Sequence, residues 1–212
     1  GYVGHAWACA YAEGRLGVIF PTGGRIRNEP DNNPKLLLLL PRGANGHFGI
    51  RCGAEADWLI RDWCVVKAYG SYVFMLPWNE KVAASFQGAT IKNIGPTVTA
   101  KVSWHYFLGT LDLCLIHPYN PSLGIDLAYQ FYVKSKDRIK FKDTMAVDFL
   151  GNAEPLDATV LEQRTNVVSN KLMATLFYQG SYWELFARGA RIIAGKNVPR
   201  ESEVVVGITI NF

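Results

Sequence analysis

Charged and hydrogen-bonding side chains stand at alternate positions along much of this chain, interleaved with apolar ones. Arg51 and Glu55 alternate with Ile50, Cys52, Ala54 and Ala56, and Lys67 with Val66 and Ala68. The same spacing places Arg15 beside Leu16, Lys101 and His105 among Val102, Trp104 and Tyr106, and Asp126 and Gln130 among Ile125, Leu127 and Tyr129. Glu184 and Arg188 repeat it against Leu185 and Ala187, as do Glu13, His47, Asp57 and Lys171 elsewhere. Period two is the geometry of a strand, so these residues form polar strand faces. A wall carrying both signs serves either as a salt-bridged filling or as the lining of a narrow water path. Ser103, His105 and Asp126 have the side-chain types for acyl transfer, but a serine and histidine two apart are what any polar strand face supplies. The cysteines, Cys9, Cys52, Cys64 and Cys114, have no CxxC spacing. Neither a metal, a cofactor nor an enzymatic role is expected.

The elements that would position these residues are strands. Alternation runs over His5–Phe20, Gly46–Trp58, Cys64–Leu76, Thr97–Leu108, Ser122–Val133, Lys171–Tyr178, Trp183–Gly189 and Val204–Phe212. Of these, Tyr182–Ala194 also admits a helical reading. In the fourth strand Val98, Ala100, Val102, Trp104, Tyr106 and Leu108 are expected on the apolar face. Short breaks fall near residues 60–62, 114–120 and 179–181; long ones cover Pro21–Asn45, Trp78–Pro96 and Lys134–Thr165. Leu36–Leu40, between prolines, is either an extra strand or a packed loop. The second hairpin is expected to set Glu55 across from Lys67 and Gly53 across from Tyr69, with no Cys52–Cys64 bridge.

Of the 212 residues, 49% are hydrophobic, 13% aromatic and 19% charged, with mean hydropathy +0.04. No apolar run approaches the roughly 18 residues of a membrane helix, whereas a membrane strand needs only about 9–11 with alternating character. A formal net charge of +4, evenly scattered, gives no nucleic-acid surface. Aromatics cluster at strand ends: Trp58, Tyr178, Trp183 and Phe212 on the short-turn side, Phe20, Phe48, Phe74 and Phe131 on the long-loop side. Two belts flanking an aliphatic band fit the two interfaces of a bilayer. The expected fold is a single all-β domain over 1–212, a closed antiparallel up-and-down transmembrane β-barrel of about eight strands. Ten to twelve strands are the alternative if Leu36–Leu40 pairs or if residues precede Gly1. The opening Gly-Tyr-Val-Gly carries no basic, apolar leader, and the chain is expected to be mature. A soluble barrel, with the apolar face as its core, is the competing architecture.

The C-terminal stretch carries a family resemblance. Val204, Val206, Ile208, Ile210 and the terminal Phe212 alternate with small or polar residues. They resemble the C-terminal insertion signal of bacterial outer-membrane β-barrel proteins, which the barrel-assembly machinery recognises. Arg15–Gly23 is similar to strand-to-loop junctions of porin-like proteins. The resemblance implies a place in the bacterial outer membrane, lipid and the assembly machinery as partners, and a possible homo-oligomer. It implies a porin-like passive channel for small solutes, lined by the alternating polar residues named above. The alternatives are a non-conducting surface barrel whose long loops bind a partner, and, more remotely, a membrane-barrel hydrolase.

Overall fold

A computed structural model describes residues 9–21, 46–88, 94–148 and 150–210. The His5–Ala8 start of the first strand, residues 22–45 of the expected long loop with the Leu36–Leu40 segment and the end of the Arg15–Gly23 junction, and Phe212 lie outside these residues.

Eight strands form one antiparallel sheet in sequential order. They are β1 (Cys9–Ile19), β2 (Gly49–Arg61), β3 (Cys64–Ser85), β4 (Ile94–His117), β5 (Asn120–Lys134), β9 (Val167–Gln179), β10 (Trp183–Lys196) and β11 (Ser202–Ile210). Between β5 and β9 the chain makes β6 (Arg138–Phe141), the small hairpin β7 (Met145–Val147) and β8 (Ala153–Pro155), and one helical turn, α1 (Thr159–Glu162). β6 pairs with β4. Short reversals join β2 to β3, β4 to β5, β9 to β10 and β10 to β11, the connection that antiparallel pairing permits. Among the described residues no ladder joins β11 to β1, and the architecture is an up-and-down all-β sheet.

The two faces differ in exposure. Leu16, Trp58, Leu111, Leu176 and Val206 are all more than half exposed, at 81, 53, 53, 54 and 77%. Their strand neighbours on the polar face, such as Glu13, Glu55, Asp57, Asp112 and Thr175, are more shielded than they are. Over Lys171–Tyr178 the alternation is strict, with Leu172, Ala174, Leu176 and Tyr178 exposed and Lys171, Met173, Thr175 and Phe177 half-buried.

The β2–β3 hairpin differs from expectation by two residues. Tyr69 faces Glu55, Lys67 faces Asp57, and Ser71 faces Gly53. A shift of two leaves every side chain on its expected face, which is why face periodicity alone did not settle it. Cys52 lies across from Tyr72, while Cys64 lies across from Arg61 at the turn.

β3 and β4 depart further from the sequence reading. Residues 78–85 and 94–96, expected within a long loop, are strand: the hairpin continues until Ser85 meets Ile94. The register slips between Met75 and Trp78, at a bulge containing Pro77. A bulge absorbs the missing proline donor and reverses the alternation beyond it. Below the bulge, Ala68, Gly70, Tyr72 and Phe74 face Leu111, Gly109, Phe107 and His105. These rows belong to the apolar face. Trp104, Tyr106 and Leu108 thus lie with Met75, Val73 and Ser71 on the polar side, opposite to the expected assignment.

That inversion has a packing cause. Beyond the sheet's apolar band, Ala84, Ala100 and Val102 are buried at 0, 0 and 6%, together with Val73, Met75 and Val160 at 2, 4 and 9%. Here β3, β4 and β6 form a three-stranded extension whose inner side is a small ordinary core. The segment 134–165, expected as irregular, covers it as a cap: Asp157 N donates to Ser85 O at 2.7 Å, and Gln87 N donates to Pro155 O at 3.0 Å. A Glu162 oxygen accepts from Ile139 N at 2.8 Å, tying α1 to β6.

Candidate functional site

The polar face of the sheet gathers most of the residues that alternation had marked. On β1 and β2, the Arg15 guanidinium lies 2.7 Å from Glu13 and 2.8 Å from Glu55, one cation joining two strands. Tyr11 donates to the second Glu13 oxygen at 2.7 Å. Arg51 donates from Nε to Ser71 at 2.9 Å and from its other arm to the Tyr69 hydroxyl. A planar, multi-donor guanidinium suits this bridging better than an ammonium would.

At the next level Lys67 stands in register between Asp57 on β2 and Asp112 on β4. One oxygen of each carboxylate is shielded without a hydrogen-bond partner. Asp126 pairs in register with Cys114. Gln130 lies between Thr110 and Lys171. Across the remaining strands Lys171 meets Glu203 at 3.4 Å, and Arg188 donates to Thr175 at 3.3 Å. Glu184 lies on this face beside Phe186 and Arg188, opposite Thr209 and Gln179.

Toward the short turns the polar face becomes aromatic. Gly124, Phe177, Phe186 and Gly207 form one register row over β5, β9, β10 and β11. The two rings occupy the space that side chains at the two glycines would need; a Cβ on Gly207 would come within 2.6 Å of the Phe186 ring. The arrangement is aromatic cover of strand glycines.

Two expected members of the wall are elsewhere. Lys101 and His105 follow the parity of Phe107 and Leu111, and so stand on the opposite face from Arg51, Glu55 and Lys67. The His105 ring lies beside Tyr72, centroid to centroid 5.6 Å. The acyl-transfer set is not assembled: Ser103 and His105 share one face while Asp126 lies on the other. Sequence reasoning also omitted Asp112, Tyr106, Tyr132, Thr175 and Glu203 from the polar wall. Asp112 carried a usable signal, since it and Thr110 alternate with Leu111 and Leu113.

His47 is on no open wall. It is fully buried where β2 begins. Its Nδ1 lies 3.0 Å from the Leu76 carbonyl, its Nε2 meets the Glu80 carboxylate, and its ring packs edge-on against Trp104 at 4.5 Å. Both ring nitrogens face oxygen acceptors, an arrangement that only the imidazolium satisfies by donating twice. Burial disfavours that charge, but the Glu80 and Leu76 bonds and the negative charge of Glu80 and Asp137 outweigh it, so the pKa is raised. Nearby, Lys134 pairs with Asp137 and lies over the Trp104 ring at 5.7 Å. Burial pushes the Asp137 carboxyl up despite Lys134.

The expected aromatic belts also have positions. Trp58 and Tyr178 are exposed on the apolar face, and Trp183 stacks on Tyr178 with centroids 5.5 Å apart. Phe74 is exposed near the other end of that face, where Phe20 and Phe48 meet edge to face at 5.2 Å. Val204, Val206, Ile208 and Ile210 form the exposed apolar edge of β11. Among the described residues no group of three or more His, Cys, Asp or Glu side chains is arranged to hold a metal ion. No protein-family model matches the chain, and no curated protein matches it.

Proposed function

We propose that β11 closes against β1 to give an eight-stranded transmembrane β-barrel of the bacterial outer membrane, and that the polar face lines a narrow passive path for small solutes. The observation that carries the reading is the polarity of the sheet: an exposed apolar face over eight antiparallel strands, with most of the charged residues of that band gathered on the opposite face. Lipid is the solvent in which that polarity costs nothing, and a closed barrel satisfies the backbone of both edge strands. On this reading Arg15, Glu55, Arg51 and Lys67 set the electrostatics of the path. The cap over residues 134–165 stands at the long-loop mouth, and the Phe177–Phe186 pair narrows the turn end. The C-terminal edge Val204–Ile210 serves insertion through the assembly machinery.

Planar-bilayer recording of protein refolded in detergent tests the channel: reproducible unitary steps are expected, altered by Arg15→Glu. Silence, with heat-modifiable gel migration retained, would favour a non-conducting surface barrel. That second reading has one specific observation behind it. Met145, Val147 and Leu150 on the β7–β8 hairpin are exposed at 53, 54 and 86%, an apolar tip available to a partner. A monomer that is soluble without detergent would overturn the membrane reading itself.

A further inference from the structure

The extension of β3, β4 and β6 beyond the apolar band carries a basic face. Lys101 on β4 is directly opposite Lys140 on β6, and Ser103 is opposite Arg138. Lys142 N donates to Thr99 O at 3.0 Å, which continues the same row pattern. Lys101, Arg138, Lys140 and Lys142 are all exposed. Among the described residues none of the four takes part in an ion pair. Lys81, whose ammonium donates to Thr99 Oγ1 at 3.0 Å, borders them on β3. The alternate residues Ile139 and Phe141 are half-buried toward Val102 and Ala100, so packing of the inner core fixes which way the basic side chains face.

Like charges directly opposite on neighbouring strands repel, and Lys101–Lys140 is such a pair with no acid beside it in the ladder. An anion bridging the two ammonium groups removes the repulsion. The face is also continuous with the apolar one: along β4 the same parity runs from Leu111 and Phe107 through His105 and Ser103 to Lys101. For strands rising about 3.3 Å per residue with a tilt of roughly 40°, Ser103 and Lys101 sit about 10–15 Å beyond Phe107 along the normal to the band. Arginine and lysine stems extend back toward an interface from such a height.

We propose that this basic face of β3, β4 and β6 is a binding surface for anionic phosphate-bearing lipid headgroups, those without a compensating cation of their own, at the membrane surface on the long-loop side. The inference rests on the membrane reading above, which supplies the lipid, and adds where and through which residues it is held. A flat row of cations a strand-spacing apart matches an array of headgroups better than one small soluble anion. It also orients the barrel, fixing the depth at which Phe74 and Phe107 meet the interface.

The test uses the full chain in nanodiscs of phosphatidylcholine containing a graded fraction of phosphatidylglycerol, with bound lipid counted by native mass spectrometry. Wild type is expected to enrich phosphatidylglycerol about fivefold or more at low salt, since one basic residue near an anionic surface contributes about that factor. The double variant Lys101→Glu/Lys140→Glu should lose the enrichment and still insert, whereas Lys196→Glu, at the far end of β10, should keep it. Insertion is scored separately by resistance to alkaline extraction. Inserted wild-type protein with no preference for phosphatidylglycerol overturns the headgroup site and leaves the membrane reading standing. Failure to insert overturns the membrane reading and this site with it. Displacement of the lipid by inorganic phosphate, but not by chloride at matched ionic strength, would make the surface a free-anion site and overturn the lipid assignment.

Discussion

Single residues on this sheet are constrained by what lies across the ladder more than by their own strand. Gly207 and Gly189 show the difference. A side chain at Gly207 would run into the Phe186 ring, while a Cβ at Gly189 meets nothing within 4 Å. Gly207→Val should therefore cost about 1–3 kcal/mol through displaced aromatic packing. Gly189→Ala should be neutral or stabilising by up to about 1 kcal/mol. Urea unfolding of the refolded protein compares the two, and equal destabilisation would show that Phe186 does not cover Gly207. Adjacent residues on opposite faces give a second contrast. Leu111→Arg places a charge on the exposed apolar face and should lower stability in bilayers by about 2–4 kcal/mol. Thr110→Arg, on the polar face, should change it far less. A reversed order would invert the assigned faces.

At the scale of elements, the extension of β3 and β4 is held at its root by His47, which joins the entry to β2 with the β3 bulge and with Trp104 on β4. Its pKa is raised in the folded chain. The stabilisation is fully present below the ordinary histidine value of about 6.5 and is lost as pH rises through the raised value. Over that window the opening equilibrium of the β3–β4 extension should rise up to tenfold per pH unit, then level off. Hydrogen exchange of the amides in residues 78–85 and 98–104, corrected for intrinsic rate, reads this directly. His47→Gln should abolish the pH slope, and a wild-type profile already flat from pH 6 to 9 would refute the linkage. These elements were also the hardest to read from sequence. The alternation of Val98–Leu108 is real, but it belongs to a strand that leaves the apolar band midway. Its apolar side chains serve the core under the cap, not the outer face. Pro77, Gly88 and Gly95 resemble loop residues until the bulge and the long hairpin are known.

For the whole molecule, closure is the decisive question. In a background lacking the native cysteines, Leu16→Cys paired in turn with Val204→Cys, Val206→Cys and Ile208→Cys scans the register between β1 and β11. All four positions are on the apolar face, and a disulfide forms only where Cα atoms lie within about 7 Å. Closure predicts efficient cross-linking at one register, seen as a shift on non-reducing gels. No cross-link at any register, including intervening positions of the same parity, would leave the sheet open. Cys52 offers a complementary check as the sole retained cysteine, being exposed on the apolar face. In lipid it should resist a charged maleimide yet react with an apolar one.

Period-two alternation, strand lengths and the spacing of turns determined, without any tertiary information, that the chain is all-β. They also located eight strands and assigned most residues to the correct face. The polar set Arg15, Arg51, Glu55, Lys67, Asp126, Gln130, Glu184 and Arg188 was legible because a strand's neighbouring side chains must point to opposite sides. Register was not legible, since a slip of two residues between β2 and β3 preserves every face and changes only which charges meet. Nor was the fate of Lys101, His105 and His47, because the same apolar alternation serves an outward face or a capped core. Only the pairing of β3, β4 and β6 decided between them, through the side chains that the long-range contacts bury.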